Sequence, residues 1–205
     1  SDGVAWTKRT SGTKNSLESV YYGNNRFIAV GDNGIVLTSP DGVTWTKRTS
    51  GTKYDLNSVV YGNNKFIAVG YSCSNDNSTI LTSPDGLTWT EQTSGITKSG
   101  YIELESVTYG NNQFITVGSC YTILTSPDGI TWTESPSVKT GFFSVAFGNN
   151  YFIAVGYWGA IHTSPDGVTW TERSSMTETG SLYSVAFGNN QFIFLNFISS
   201  IFIVK

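Results

Sequence analysis

The chain has 205 residues, of which only 13% are charged, and a net charge of −3. A surface so sparse in charge and slightly acidic carries no basic footprint, which excludes nucleic acid as the expected partner. One histidine and two cysteines leave no Cys/His metal cluster, so neither a metal nor another cofactor is expected.

The N-terminus opens on Ser1-Asp2-Gly3-Val4-Ala5-Trp6. This is a clipped copy of an element that returns at Ser39–Trp45, Ser83–Trp89, Ser126–Trp132 and Ser164–Trp170, each reading Ser-Pro-Asp-Gly, one apolar residue, then Thr-Trp. The five aspartates, Asp2, Asp41, Asp85, Asp128 and Asp166, lie 39, 44, 43 and 38 residues apart. A second marker, Gly-Asn-Asn followed two residues on by an aromatic, keeps the same beat at Gly23, Gly62, Gly110, Gly148 and Gly188. Repeats of about 40 to 45 residues made of short β-rich runs predict propeller blades.

The first full unit begins at Leu17. Four runs rich in Val, Ile, Thr and aromatics are separated by Gly, Asn, Pro and Asp, the pattern of four strands, A to D, joined by tight turns. Gly23-Asn24-Asn25 places Asn where a positive φ is needed, and Pro40-Asp41-Gly42 supplies a preset φ, a side-chain acceptor and a left-handed position. Strand A is apolar on both faces, so both must be covered, as they are between blades packed round an axis. Each of Trp6, Trp45, Trp89, Trp132 and Trp170 is expected to wedge between neighbours. No segment has a helical period. The expected fold is all-β, a single five-bladed propeller of four-stranded blades over residues 17–49, 56–93, 104–135, 142–174 and 182–205 plus 1–10. In that scheme Val4–Thr10 adds the missing strand D to Ile201–Ile203 and closes the ring. The apolar run Phe192–Val204 is too short for a membrane span and is interrupted by Asn196, Ser199 and Ser200, so no membrane insertion is expected.

Cys73 and Cys120 lie in B–C loops of neighbouring units. A disulfide between them would stabilise by about 4 kcal/mol on the chain-entropy model, and two free thiols are the alternative. Low charge with abundant Thr, Ser, Asn and Gly suits an extracellular, cell-surface or virion-associated protein. The absence of a signal peptide and an initiator Met fits a processed chain or an excised domain, expected to be monomeric.

The Ser-Pro-Asp-Gly-Val-Thr-Trp element resembles the Asp-box (BNR) repeat of sialidase-like propellers, without the spacer between Asp and Gly. The combined repeat is similar to those of bacterial surface and phage tail-associated proteins. The resemblance implies fold and not activity, because the Asp-box residues of that family are structural.

The sialidase constellation is not matched: Arg9, Arg48 and Arg173 repeat with strand D, and Arg26 sits in an A–B turn. The second residue of strand A reads Glu18, Asn57, Glu105, Phe143 and Tyr183 round the expected channel mouth. Glu18 and Glu105 form a conceivable acid–base pair, but without a third acid they read better as a solvated entrance, and no enzyme is expected. His162 aligns with Leu37, Leu81 and Leu124, which marks it as a packed strand residue. Sequence variation is confined to the B–C and D–A loops, one face of the scaffold, as on a recognition surface. That face gathers Tyr71, Tyr121, Tyr157 and Trp158 with Asp32, Tyr54, Tyr101 and Tyr183. Aromatic planes beside hydrogen-bonding groups suit sugar rings, so a glycan is the expected ligand and a cell-surface protein the alternative. Trp158 is the indole the repeat does not require, because its equivalents are Asn33 and Cys120.

Overall fold

The computed structural model describes residues 3–71, 78–96, 101–135, 138–173, 180–196 and 201–204. Every strand in it is antiparallel to its neighbours. The first sheet runs β1 (Leu17–Gly23), β2 (Arg26–Gly31), β3 (Ile35–Ser39) and β4 (Thr46–Arg48) in that order across the sheet. The second repeats it with β5 (Leu56–Gly62), β6 (Lys65–Tyr71), β7 (Ser78–Ser83) and β8 (Thr90–Gln92). The third has β9 (Leu104–Gly110), β10 (Gln113–Gly118), β11 (Thr122–Ser126) and β12 (Thr133–Glu134). The fourth has β13 (Phe142–Gly148), β14 (Tyr151–Gly156), β15 (Ile161–Ser164) and β16 (Thr171–Arg173). The fifth has three strands, β17 (Leu182–Gly188), β18 (Gln191–Asn196) and β19 (Ile201–Val204). The expected all-β architecture of four-stranded antiparallel sheets is present.

The turns form as their chemistry dictates. Asn24 and Asn25 both take left-handed φ (46° and 60°), and so do the Asn pairs at 63–64, 111–112, 149–150 and 189–190. Two successive left-handed residues match the twist of a two-residue hairpin, and Asn tolerates them. In the C–D turn Asp41 Oδ1 accepts from the amides of Val43 (2.8 Å) and Thr44 (3.0 Å), while Ser39 Oγ accepts from Gly42 N (2.8 Å). Trp45 Nε1 closes the turn by donating to Gly42 O at 3.3 Å. Asp85, Asp128 and Asp166 repeat the set. These amide bonds hold all four carboxyls below the usual aspartate range.

Neighbouring sheets lock through one contact repeated four times. The aromatic before each Gly-Asn-Asn lies over the glycine of the preceding marker: Tyr61 over Gly23, Tyr109 over Gly62, Phe147 over Gly110 and Phe187 over Gly148. A Cβ on any of those glycines would fall 2.1 to 2.4 Å from the ring, so only Gly fits there. A serine of each strand A then accepts from an amide of the next one: Val59 N to Ser19 Oγ, Val107 N to Ser58 Oγ, Val145 N to Ser106 Oγ and Val185 N to Ser144 Oγ, at 3.2 to 3.3 Å. β1, β5, β9, β13 and β17 therefore lie side by side as the inner series.

The tryptophans separate into groups. Trp132 and Trp170 are buried, and with Trp89 they pack into cores shared by two sheets, as expected of wedges. Trp45 packs against its own sheet only, and Trp6 is 89% exposed. The expected pairing of Val4–Thr10 with β19 is not made. That segment has no strand, and the fifth sheet ends at β19. Among the described residues no sheet lies beyond β1 against Trp45, and Ile201 and Ile203 stay exposed at the other end of the series.

Candidate binding face

The two faces of the scaffold are built differently. On one, the A–B turns of the second and third units grip the C–D turn of the next: Asn63 donates to Pro127 O, Lys65 to Asp128 O, Asn111 to Pro165 O and Gln113 to Asp166 O. On the other, the B–C loop of each of the first four units is tied to the D–A loop by a backbone bond: Asp32 N to Ser16 O, Tyr71 N to Asp55 O, Ser119 N to Glu103 O and Tyr157 N to Gly141 O. That bond requires glycine at the end of strand B, because a Cβ on Gly31, Gly70, Gly118 or Gly156 would meet the D–A carbonyl oxygen at about 2 Å.

Beside these ties lies a β-bulge, and the fifth unit has one as well. The strand A–strand B register slips between Leu17 and Ser19, Leu56 and Ser58, Leu104 and Ser106, Phe142 and Ser144, and Leu182 and Ser184. The residue left over is Glu18, Asn57, Glu105, Phe143 or Tyr183. A bulge takes its extra residue out of the ladder and re-aims its side chain, and bulges concentrate beside functional sites. The five expected mouth residues are thus the five bulged ones.

Three of the five converge. Phe143 stacks on Tyr183 (centroids 4.7 Å, planes at 24°) and packs on Tyr157 at 4.3 Å. Gly141 leaves room for the Tyr157 ring, since a Cβ there would lie 3.0 Å from it. Glu105 sits half-buried in this neighbourhood, and desolvation, helped by the Glu103 carboxylate, pushes its pKa up to about 7. Burial and then the charges of Glu105 and Glu103 also raise the Tyr157 phenol, keeping it a neutral hydroxyl. Glu103 is held by Asn57, whose Nδ2 donates to Glu103 Oε1 at 3.2 Å and to Leu104 O at 3.0 Å. The result is an aromatic floor (Tyr157, Phe143, Tyr183) beside two carboxyls, one of them near half-protonation at neutral pH. Sequence reasoning passed over Glu103. The usable signal was its place directly before strand A, where other units have Ser16, Asp55, Gly141 and Ser181.

The other candidates stand apart. Tyr71 and Tyr101 pair ring to ring at 4.5 Å. Tyr121 is exposed in the next loop beside Cys120, a free, exposed thiol that donates to Tyr101 O at 3.0 Å. Cys73, the partner expected for Cys120, lies outside the described residues. Tyr54 belongs to a separate cleft of about 890 Å³ with Asn33, Lys47, Arg48 and Glu91. Asp32 abuts that cleft, and its carbonyl accepts from Asn15 Nδ2. Glu18 is exposed at the open end of the series, beside Leu17 and Val20, and does not meet Glu105.

Trp158 does not join the aromatic floor either. It lines a cleft of about 570 Å³ with Tyr157, Lys139, His162, Glu172 and Arg173, is 86% exposed, and has φ 58°. His162 is a packed strand residue as expected: buried, edge-on to Phe142 at 5.1 Å, and held below the usual histidine range by desolvation against the opposing pull of Glu172. Among the described residues no group of three or more His, Cys, Asp and Glu side chains is placed to hold a metal, and no helix is long and apolar enough to cross a membrane.

No family model matches the chain, and no curated protein matches it. Solved structures do. YCF48 bound to D1 peptide superposes with a TM-score of 0.71 at 19% identity, over 94% of this chain and 66% of that one. The WD40 β-propeller domain of Doa1 gives 0.71 at 17% identity, over 94% and 65%. Catalytically inactive virginiamycin B lyase from Staphylococcus aureus with quinupristin gives 0.76 at 15%, over 91% and 65%. The chain therefore has a β-propeller-like fold and spans about two thirds of the length of these structures.

Proposed function

We propose that this chain is a non-catalytic recognition domain that binds an extended peptide or protein segment on the B–C/D–A face, centred on the aromatic floor and carboxyls of the third to fifth units. The observation carrying this reading is the convergence of Tyr157, Phe143 and Tyr183 with Glu105 and Glu103 on the face that varies between repeats. Flat rings supply contact area at low entropic cost, and two carboxyls accept from amide, ammonium or guanidinium donors. The preferred ligand is accordingly a segment bearing Lys or Arg beside an apolar residue. One similar structure, YCF48, was solved with a peptide, which supports the class of ligand at the level of fold.

The test is selection from a displayed random-peptide library, followed by calorimetry on the selected peptide. Enrichment of basic-apolar sequences is expected, with at least tenfold weaker binding for Tyr157→Ala and for Glu105→Gln, the latter without any fall in melting temperature. Selection of no peptide, together with binding on a glycan array, would overturn the reading in favour of the carbohydrate one. That second reading rests on Trp158, whose bare indole beside Lys139, Glu172 and Arg173 has the make-up of a sugar-stacking platform.

A further inference from the structure

Tyr157 belongs to two neighbourhoods at once. Its ring packs on Phe143 in the aromatic floor, where Glu105 and Glu103 are the charges acting on its hydroxyl. It is also part of the wall of the cleft that holds Trp158, Lys139, His162, Glu172 and Arg173, and neither Glu103 nor Glu105 lines that cleft. Desolvation keeps His162 below the usual histidine range and so neutral at pH 7, which leaves the cleft with two cations and one carboxylate. The sign of the charge thus changes from the floor to the cleft, on a protein whose net charge is −3.

Arg173 is positioned without being used up. Its Nε donates to Thr163 Oγ1 at 2.9 Å, the bond that Arg48 makes to Thr38 in the first unit. That bond anchors the guanidinium and occupies only one of its five N–H groups. The second unit makes the same contact without the charge: Gln92 Nε2 donates to Thr82 Oγ1 at 3.1 Å. The scaffold therefore needs a donor at this position and not a cation. Among the described residues neither Arg173 nor Lys139 is joined to a carboxylate. Two more residues of the fourth unit depart from the repeat round the cleft. Trp158 holds a left-handed φ where the first unit has Asn33, and such strain in a bulky residue collects at ligand sites. His162 stands where other units pack Leu37, Leu81 and Leu124, and its buried Nδ1 has no hydrogen-bond partner, a nitrogen from which strand packing gains nothing.

We infer that the cleft is the second half of the binding site and takes an acidic side chain of the bound segment, with Arg173 and Lys139 as its partners. The ligand is then an extended peptide with Lys or Arg for the floor carboxyls, Asp or Glu for the cleft, and the apolar residue between them on Tyr157. The assignment rests on the peptide reading above and names the residue that lies beyond the apolar one. The two Nη groups of Arg173 remain to donate to both oxygens of a carboxylate. Opposite charges at the two ends also fix the direction in which the segment lies.

The experiment sequences the displayed random peptides retained by the 205-residue chain and by its Arg173→Gln, Glu105→Gln and Arg48→Gln variants. Gln at position 173 keeps a donor for Thr163, as Gln92 does for Thr82, so the charge goes and the scaffold contact stays. The unaltered chain should enrich peptides that carry basic, apolar and acidic residues together. Arg173→Gln should lose the acidic enrichment and keep the basic one, and Glu105→Gln should do the reverse. Arg48→Gln, in the separate cleft of the first unit, should match the unaltered chain. Calorimetry then compares the most enriched peptide with its Asp→Asn or Glu→Gln form. The exchange should weaken binding about tenfold on the unaltered chain and less than about twofold on Arg173→Gln. The first of these measurements does not depend on any variant folding. Enrichment of basic-apolar peptides without an acidic residue, an exchange in the peptide that costs nothing, or an acidic preference that survives Arg173→Gln or is lost equally with Arg48→Gln would overturn the inference and leave the peptide reading standing. Retention of no peptide by the unaltered chain would overturn that reading, and the inference with it.

Discussion

Replacing Trp158 by Asn separates a recognition residue from a lid on the core. Trp158 has φ 58°, the value that Asn33 takes at the equivalent place (56°). Holding a bulky L-residue in the left-handed region costs about 1–2 kcal/mol, most of which Asn avoids. The side chain is 86% exposed, so roughly 30 Å² of a large ring leaves water, about 0.8 kcal/mol. The two effects nearly cancel, and Trp158→Asn should change stability by less than about 1 kcal/mol, under about 3 °C in melting temperature. Trp132→Ala is the contrast: that ring is 7% exposed and shared by two sheets, and its loss should cost about 3–5 kcal/mol. Thermal unfolding followed by circular dichroism reads both. A fall of several degrees for Trp158→Asn would refute the reasoning and make this indole a structural cover.

Asp85→Ala should destabilise by about 1–2 kcal/mol in urea titration by removing the acceptor of Leu87 N and Thr88 N, with no loss of ligand binding from the opposite face. Gly62→Ala should cost about 2 kcal/mol or more in the same assay, because its methyl would lie 2.2 Å from the Tyr109 ring. Glu105 has a folded pKa raised to about 7, so its contribution to stability is fully present below the ordinary glutamate value and is lost as pH rises towards 7. Glu105→Gln should therefore raise stability at pH 8 by about 1 kcal/mol, after allowance for solvent screening, and leave it unchanged at pH 4. An equal effect at both pH values would show that the carboxyl is not desolvated. The turn aspartates act with the opposite sign: their depressed pKa values stabilise above the ordinary aspartate range and are lost as pH falls through it, so quadruple replacement of Asp41, Asp85, Asp128 and Asp166 by Asn should flatten the acid limb of the stability profile.

Most of the scaffold was legible because each unit repeats the same local chemistry. Asn pairs announce left-handed hairpins, Ser-x-Asp-Gly announces a turn with its own acceptors, and both recur where the strands break. The cluster was only half legible. Tyr157, Tyr183, Asn57 and Glu105 were visible as departures from the repeat, but their grouping depends on which units are adjacent and how the side chains are aimed. Glu103 was harder to see, because it ends a loop of varying length and only its place directly before strand A marks it. Trp158 and Tyr157 are sequence neighbours, yet Tyr157 packs on Phe143 while Trp158 stays exposed. Closure by Val4–Thr10 followed from matching the two truncated repeats, a pattern silent on curvature.

The bulge explains how one scaffold holds a constant architecture and a variable face. Glycine at the end of strand B lets the D–A carbonyl approach and the next amide bond to it, and beside this approach the register slips by one residue. The slipped residue leaves the ladder, so its side chain contributes little to sheet pairing or to the cores between sheets. Glu, Asn, Glu, Phe and Tyr therefore occupy the same place in the five units, although one position before it each unit keeps a Leu or Phe, and one position after it a Ser that bonds the next sheet wherever there is one. In the fifth unit Asn196 stands where the other four have glycine, and the bulge persists at Tyr183. Glycine is thus needed for the close approach of the loops rather than for the slip itself. Side chains can change at the slipped position without weakening the fold, and Glu105, Phe143 and Tyr183 of the cluster all stand there.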